Sequence, residues 1–157
     1  MKVRKLFFLV VLLNLSFLFS ACSQNSSEMK DGYYTAEAAS FDSYGWKEYV
    51  TIYVSNDKIV TVEYNAFNPS GFIKSWDLDY MRTMNMEVGT YPNEYAREYA
   101  VALINWQDIN AVDAVSGATS SHISFQMLVD AAVVKAKEGD KQVASVNLPE
   151  PDVKNEG

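Results

Sequence analysis

At 157 residues, with 48% apolar and 13% aromatic side chains, the chain has the length and composition of one packed domain, which excludes a largely disordered protein. Its formal charge at pH 7 is −7. A negative surface repels the phosphates of nucleic acids, and no basic cluster follows the N-terminal segment, so we expect no nucleic-acid partner.

The first 21 residues have the pattern of a secretory signal peptide. Basic residues precede an apolar run over residues 6–19, which is too short to span a bilayer comfortably, and small residues follow. The segment 19–22 (FSAC) resembles the lipobox of bacterial lipoproteins, which implies cleavage before Cys22 and lipid attached to Cys22. A short membrane anchor is the alternative.

Cleavage before Cys22 would remove three of the 13 basic side chains and none of the 20 acidic ones, which leaves a mature charge of −10.

Residues 22–30 are mostly small and polar, and they are predicted to form a tether. The eight residues after the cysteine reach at most about 30 Å when fully extended. The folded domain is therefore expected to stay close to the membrane. The predicted location is the extracytoplasmic side of the cell membrane, with membrane lipid as a partner through Cys22.

Cys22 is the only cysteine and His122 is the only histidine. The mature domain therefore has no intramolecular disulfide, dithiol pair, cysteine-ligated metal site or histidine cluster, so redox chemistry needs a cofactor. Ser120 and Ser121 stand beside His122, but adjacent residues on a helix point in different directions. We predict a surface or capping histidine rather than part of a catalytic triad.

Strands are predicted in the first half of the domain. A first strand follows Asp31 and Gly32, and the runs 47–54 and 59–65, rich in Tyr, Val, Ile and Thr, predict a β-hairpin. Alternation in the first of these runs predicts one face in the core and another that covers a helix or a ligand: Val50, Ile52 and Val54 against Tyr49, Thr51 and Tyr53.

Helices are predicted over residues 75–86, from residue 92 or 93 onwards, and over 120–137, because apolar side chains there recur at helical spacing. Strands followed mainly by helices predict an α+β domain over residues 31–138, with a small antiparallel sheet and its hairpin packed against about three helices. Residues 139–157 contain prolines and many charges, and they are predicted to form a flexible tail without a core role.

The segment before the third predicted helix, residues 113–121 (DAVSGATSS), is the candidate functional motif. Backbone N–H groups at a helix start lack partners and attract anions, and Gly117 and Ala118 leave room for a phosphate. The alternative is a plain helix start that is capped by Ser116, Thr119 or Ser120. The residue types alone favour the capped helix.

The same segment resembles the motif of FMN-binding domains related to the flavin subunits of the Na⁺-translocating NADH:quinone reductase and of Rnf. The matching residues are Asp113, Ser116, Gly117, Ala118 and Thr119. The resemblance implies FMN esterified through its phosphate to Thr119 by an extracytoplasmic FMN transferase. It implies a phosphate hydrogen bond from Ser116, open backbone at Gly117 and Ala118, and contacts of Asp113 during attachment. Ala114 departs from the glycine of many family members.

The resemblance extends from Asp31 to about residue 140. Segments 71–77 (GFIKSWD) and 89–93 (GTYPN) look like those of lipid-anchored, pheromone-type flavoproteins of Gram-positive bacteria. This implies an electron-transfer flavoprotein rather than an enzyme with its own substrate. Its electrons would come from a quinone- or NADH dehydrogenase-type donor in the membrane. Loop aromatics are the candidates for covering the flavin ring, with core packing as the alternative for each: Phe67, Phe72, Trp76 and Tyr91.

Two other functions remain open from the sequence. One is a flavin domain that serves a separate extracytoplasmic reductase. The other is a non-catalytic surface lipoprotein, or a precursor whose signal peptide is released as a pheromone. Flavin in the purified protein separates the last class from the other two.

Overall fold

The computed structural model of the chain describes residues 28–151, so the predicted signal peptide and Cys22 lie outside the described residues. Two single-turn 3₁₀ segments lie at Lys74–Trp76 and Ile109–Ala111. The other elements are, in chain order, β1 (Gly32–Ala38), β2 (Lys47–Ser55), β3 (Lys58–Phe67), α1 (Leu78–Val88), α2 (Pro92–Trp106), α3 (Thr119–Glu138) and β4 (Ala144–Val146). In this part of the chain, no helix has the length and apolarity needed to cross a membrane.

The sheet has four strands in the order β3-β2-β1-β4. The first three strands pair antiparallel, and β4 pairs parallel with β1 through Ala36 and Ala144. The α+β class is confirmed, whereas a purely antiparallel sheet and a tail without a core role are wrong. After α3 returns the chain to the edge of β1, residues at two-residue spacing pack against the core: Ala144, Val146 and Leu148.

The predicted hairpin is confirmed. Its two-residue loop places Asn56 and Asp57 at φ 52° and 59°, a left-handed conformation that these residue types tolerate well. The core-facing residues Val50, Ile52 and Val54 are fully buried. On the opposite face of the sheet, the side chains of β2 remain half-buried, and the Tyr33 and Tyr53 rings lie 4.5 Å apart.

The three predicted helices are present, with one difference in where the first begins. The separate 3₁₀ turn at Lys74–Trp76 comes first, and α1 then starts after Asp77, whose side chain accepts a hydrogen bond of 3.0 Å from the backbone N–H of Tyr80. A carboxylate at this position satisfies an N–H group that has no partner within the helix. The predicted start at Ser75 is therefore three residues early.

The long helix α3 supplies much of the core and connects the two ends of the domain. Phe125, Leu128 and Val129 are buried against the sheet. At the C-terminal end of α3, the Lys30 N–H donates to the Ala136 carbonyl over 2.9 Å, whereas Thr119 opens the helix at the other end. The chain therefore enters the domain at the end opposite to the candidate motif.

Candidate functional site

The motif residues form the loop that leads into α3. Ala118 occupies the N-cap position, and within the described residues no side chain caps this end of the helix. The capping by Ser116, Thr119 or Ser120 that the alternative predicts is absent, because the N-cap position is held by alanine, which has no side-chain acceptor. Thr119 is exposed, and the first turn contains no acidic residue. The free N–H groups of a 20-residue helix are thus directed at a position that suits an anion.

Two side chains outside the motif hold this loop in place. The buried Tyr99 hydroxyl donates to the Ala118 carbonyl over 3.0 Å and accepts from the Val115 N–H over 3.2 Å. His122 is half-buried, and its Nε2 lies 2.7 Å from the Val112 carbonyl oxygen. A carbonyl only accepts, so Nε2 carries the proton. The contact of Tyr99 with the motif is tertiary, and no local pattern in the sequence indicates it.

Gly117 is required by the packing of the motif against α1. It has φ 81°, and a Cβ there would lie 2.8 Å from the Val88 carbonyl oxygen. The backbone at Gly117 was predicted to be open to a phosphate. Val88 occupies the space into which a side chain at Gly117 would project, so the backbone is covered by α1 on that side.

We expect Gly117→Ala to destabilise the protein more than Gly71→Ala. Both glycines have positive φ, which costs an alanine about 1–2 kcal/mol. Only Gly117 adds a clash with α1, which costs about 1–3 kcal/mol more, because a Cβ at Gly71 meets no atom within 4 Å. Urea unfolding of the two variants measures the difference. Equal midpoints would contradict the close contact with Val88.

A cleft of about 190 Å³ lies beside the motif. Gly117, Ser120 and Ser121 form one wall, and the C-terminal segment 148–151 forms another. Opposite them are aromatic and ionisable side chains from the β1–β2 loop, β2, the first 3₁₀ turn and α1: Asp42, Tyr44, Trp46, Glu48, Lys74 and Tyr80. Residues distant in sequence therefore meet next to the helix start.

The ionisable side chains of the cleft are perturbed by burial. Burial raises the pKa of the Glu48 carboxyl, whose Oε1 accepts a hydrogen bond of 3.0 Å from the Tyr64 hydroxyl. Burial likewise lowers the pKa of the Lys74 ammonium, while the charges of Glu48 and Asp42 act in the opposite direction. Desolvation penalises both charged groups, so the Glu48 and Lys74 side chains are largely removed from bulk water.

The predicted aromatic candidates lie away from this cleft. Trp76 is 68% exposed and borders a separate groove beside α2. Phe72 is exposed, Tyr91 is half-buried just before α2, and Phe67 packs against Tyr49 on the outer face of the sheet. Three aromatic side chains that sequence reasoning missed line the cleft instead: Tyr44, Trp46 and Tyr80.

Comparisons with known proteins place the chain among lipoproteins. No family model matches it. It is 37% identical over 128 residues to the 15 kDa lipoprotein of Treponema pallidum (strain Nichols), which covers 82% of this chain and 89% of that protein. The crystal structure of the CPE2226 protein from Clostridium perfringens matches with a TM-score of 0.74 and 37% identity, over 77% of this chain and 99% of the other. The chain therefore belongs to the family of the Treponema pallidum 15 kDa lipoprotein, which confirms the lipoprotein prediction at the level of the family.

Proposed function

We propose that the protein is a lipid-anchored extracytoplasmic flavoprotein in which FMN is joined through a phosphoester to Thr119, and that it carries electrons between a membrane donor and external acceptors. The observation that carries the proposal is the position of the Ser-Gly-Ala-Thr motif. Its threonine is the exposed first residue of α3, at a helix end without a side-chain cap.

The local electrostatics support a phosphate at this position. Helix N–H groups favour negative charge, and the first turn of α3 holds no carboxylate that would repel it. Ser116 and Asp113 are exposed, so both are accessible to a transferase. Tyr99 and His122 fix the loop, which reduces the entropy that is lost when a cofactor binds. When bound, FMN supplies a ring that takes up and returns electrons.

The size of the cleft beside the motif fits a carrier, because it is small for a site that would hold both a flavin and a substrate. Pockets that enclose a small molecule usually measure about 300–1,000 Å³. The cleft beside the motif measures about 190 Å³. Beside a flavin, it leaves little room for a second ligand.

The proposal is tested on the protein secreted by a host that co-expresses a flavin transferase. We expect an intact mass increased by one FMN less one water. Reduced protein is then expected to pass electrons to unrelated acceptors, such as ferric chelates and quinone analogues, without saturation. An unmodified mass would contradict the cofactor, and saturation with a single acceptor would favour a dedicated reductase subunit.

The relationship with a protein named only as a lipoprotein favours a second candidate, a non-catalytic surface lipoprotein. The two candidates differ in one measurable property. A surface lipoprotein without a cofactor remains colourless and unmodified in the presence of the transferase, whereas the flavoprotein becomes yellow and its denatured chain fluoresces.

Cys22→Ser is expected to abolish lipid attachment, because serine lacks the thiol to which the lipid is joined. The variant should be released into the medium or keep its signal peptide. Metabolic labelling with a radioactive fatty acid measures the change, with the unaltered chain as the positive control. Label retained by the variant would place the lipid elsewhere.

A further inference from the structure

Lys74 presents a buried cation to the cleft without a hydrogen-bond partner. The residue is 9% exposed, and its Nζ lies 5.8 Å from the centre of the Trp46 ring and 5.2 Å from that of Tyr80. Among residues 28–151, no carboxylate lies within 4.0 Å of this ammonium and no acceptor bonds to it. The Lys74 side chain is largely buried while its ammonium borders the cleft, so an acceptor for this group can come from water or from a ligand that occupies the cleft.

The two carboxylates near Lys74 are already engaged by other donors. Asp42 accepts from the Trp46 and Tyr44 N–H groups over 2.8 and 2.9 Å, and Glu48 accepts from the Tyr64 hydroxyl. Their negative charges disfavour an anionic ligand in the cleft. A neutral, flat group with carbonyl acceptors suits both Lys74 and the aromatic rings around it.

The cleft also lies within reach of Thr119. Ser120 and Ser121 follow Thr119 directly and line the cleft, and the Ser121 carbonyl oxygen lies 2.9 Å from the Tyr64 hydroxyl that contacts Glu48. A volume of about 190 Å³ is too small to enclose a whole nucleotide. It suits a ring system whose phosphate remains outside, at the start of α3.

We infer that this cleft holds the ring of the FMN proposed at Thr119, with Lys74 as the donor to a ring carbonyl oxygen and Trp46 and Tyr80 as the aromatic neighbours. The inference rests on the proposed function. Uptake of two electrons and one proton adds one negative charge to the ring, so Lys74 stabilises the reduced form and Glu48 opposes it.

The first test measures flavin fluorescence in FMN-loaded protein. A tryptophan in contact with a flavin quenches its emission, so the native protein should be several-fold dimmer than the same protein in denaturant. Trp46→Phe should restore much of that emission. Trp76→Phe, which removes an exposed tryptophan outside the cleft, is the matched control and should leave the quenching unchanged. Restored emission in the control alone would overturn the inference.

The second test measures the midpoint potential of the bound flavin. Lys74→Met should lower it and Glu48→Gln should raise it, because the two variants remove opposite charges from the same wall of the cleft. Lys58→Met, at the hairpin turn, is the control for loss of a distant positive charge. Shifts of the first two variants in the same direction would indicate a structural disturbance and overturn the inference.

Intact mass separates this inference from the proposal on which it rests. A wild-type chain that gains no FMN overturns the proposed function and the inference together. A chain that gains FMN but keeps full fluorescence, with a potential insensitive to Lys74 and Glu48, overturns the inference alone.

Discussion

Thr119→Ala is expected to remove all covalently bound flavin while the protein keeps its fold. The hydroxyl of Thr119 supplies the ester oxygen in the proposed attachment, and alanine has none. The side chain is exposed at the first position of α3, and alanine is the best helix former, so the fold loses little. Fluorescence of the denatured protein in a gel measures the flavin, and circular dichroism measures the fold.

Two control variants sharpen this result. Thr119→Ser keeps a hydroxyl and should retain at least partial labelling. Thr83→Ala removes another exposed threonine hydroxyl, on α1, and should be labelled fully. Equal fluorescence of Thr119→Ala and the unaltered protein would move the attachment to another residue.

Phe125→Ala is expected to produce the largest loss of stability, about 3–5 kcal/mol, because it removes a fully buried ring and leaves a cavity. The Phe125 ring lies 5.1 Å from that of Tyr64 and 5.4 Å from that of Tyr99. Tyr99 holds the motif loop, so flavin labelling should fall together with stability. Urea denaturation and fluorescence labelling of the same samples measure both effects.

Val134→Ala is the matched control, since Val134 lies on the same helix but is 52% exposed. It should change the free energy of unfolding by less than about 0.5 kcal/mol. A comparable loss in both variants would contradict the burial of Phe125 in the core.

The elements that could be predicted from the sequence are those with a local pattern. Alternation in β2 and the turn residues Asn56 and Asp57 define the hairpin, and helical spacing defines α3 to within one residue at each end. The strand β4 was missed because it is three residues long and is stabilised by β1, more than 100 residues earlier in the chain. Its pairing is a tertiary contact that the neighbouring sequence does not encode.

The candidate site likewise has one part that could be predicted from the sequence and one part that could not. The motif ending at Thr119 is contiguous and could be recognised directly, whereas the cleft beside it is assembled from separate elements. Trp46 lies just before β2, Lys74 begins a 3₁₀ turn and Tyr80 lies on α1. In the sequence, Lys74 has the pattern of an ordinary surface lysine, and only the folded chain shows that it is buried between two aromatic rings.

The helix α3 separates the point where the chain enters the domain from the candidate attachment residue. The chain enters beside Ala136, and Thr119 lies 17 residues away along the helix, about 26 Å at a rise of about 1.5 Å per residue. In the proposed flavoprotein, the phosphoester at Thr119 would therefore lie at the end of α3 opposite to the one where the chain enters the domain. A membrane donor would then reach the flavin only when this end of α3 is turned towards the bilayer.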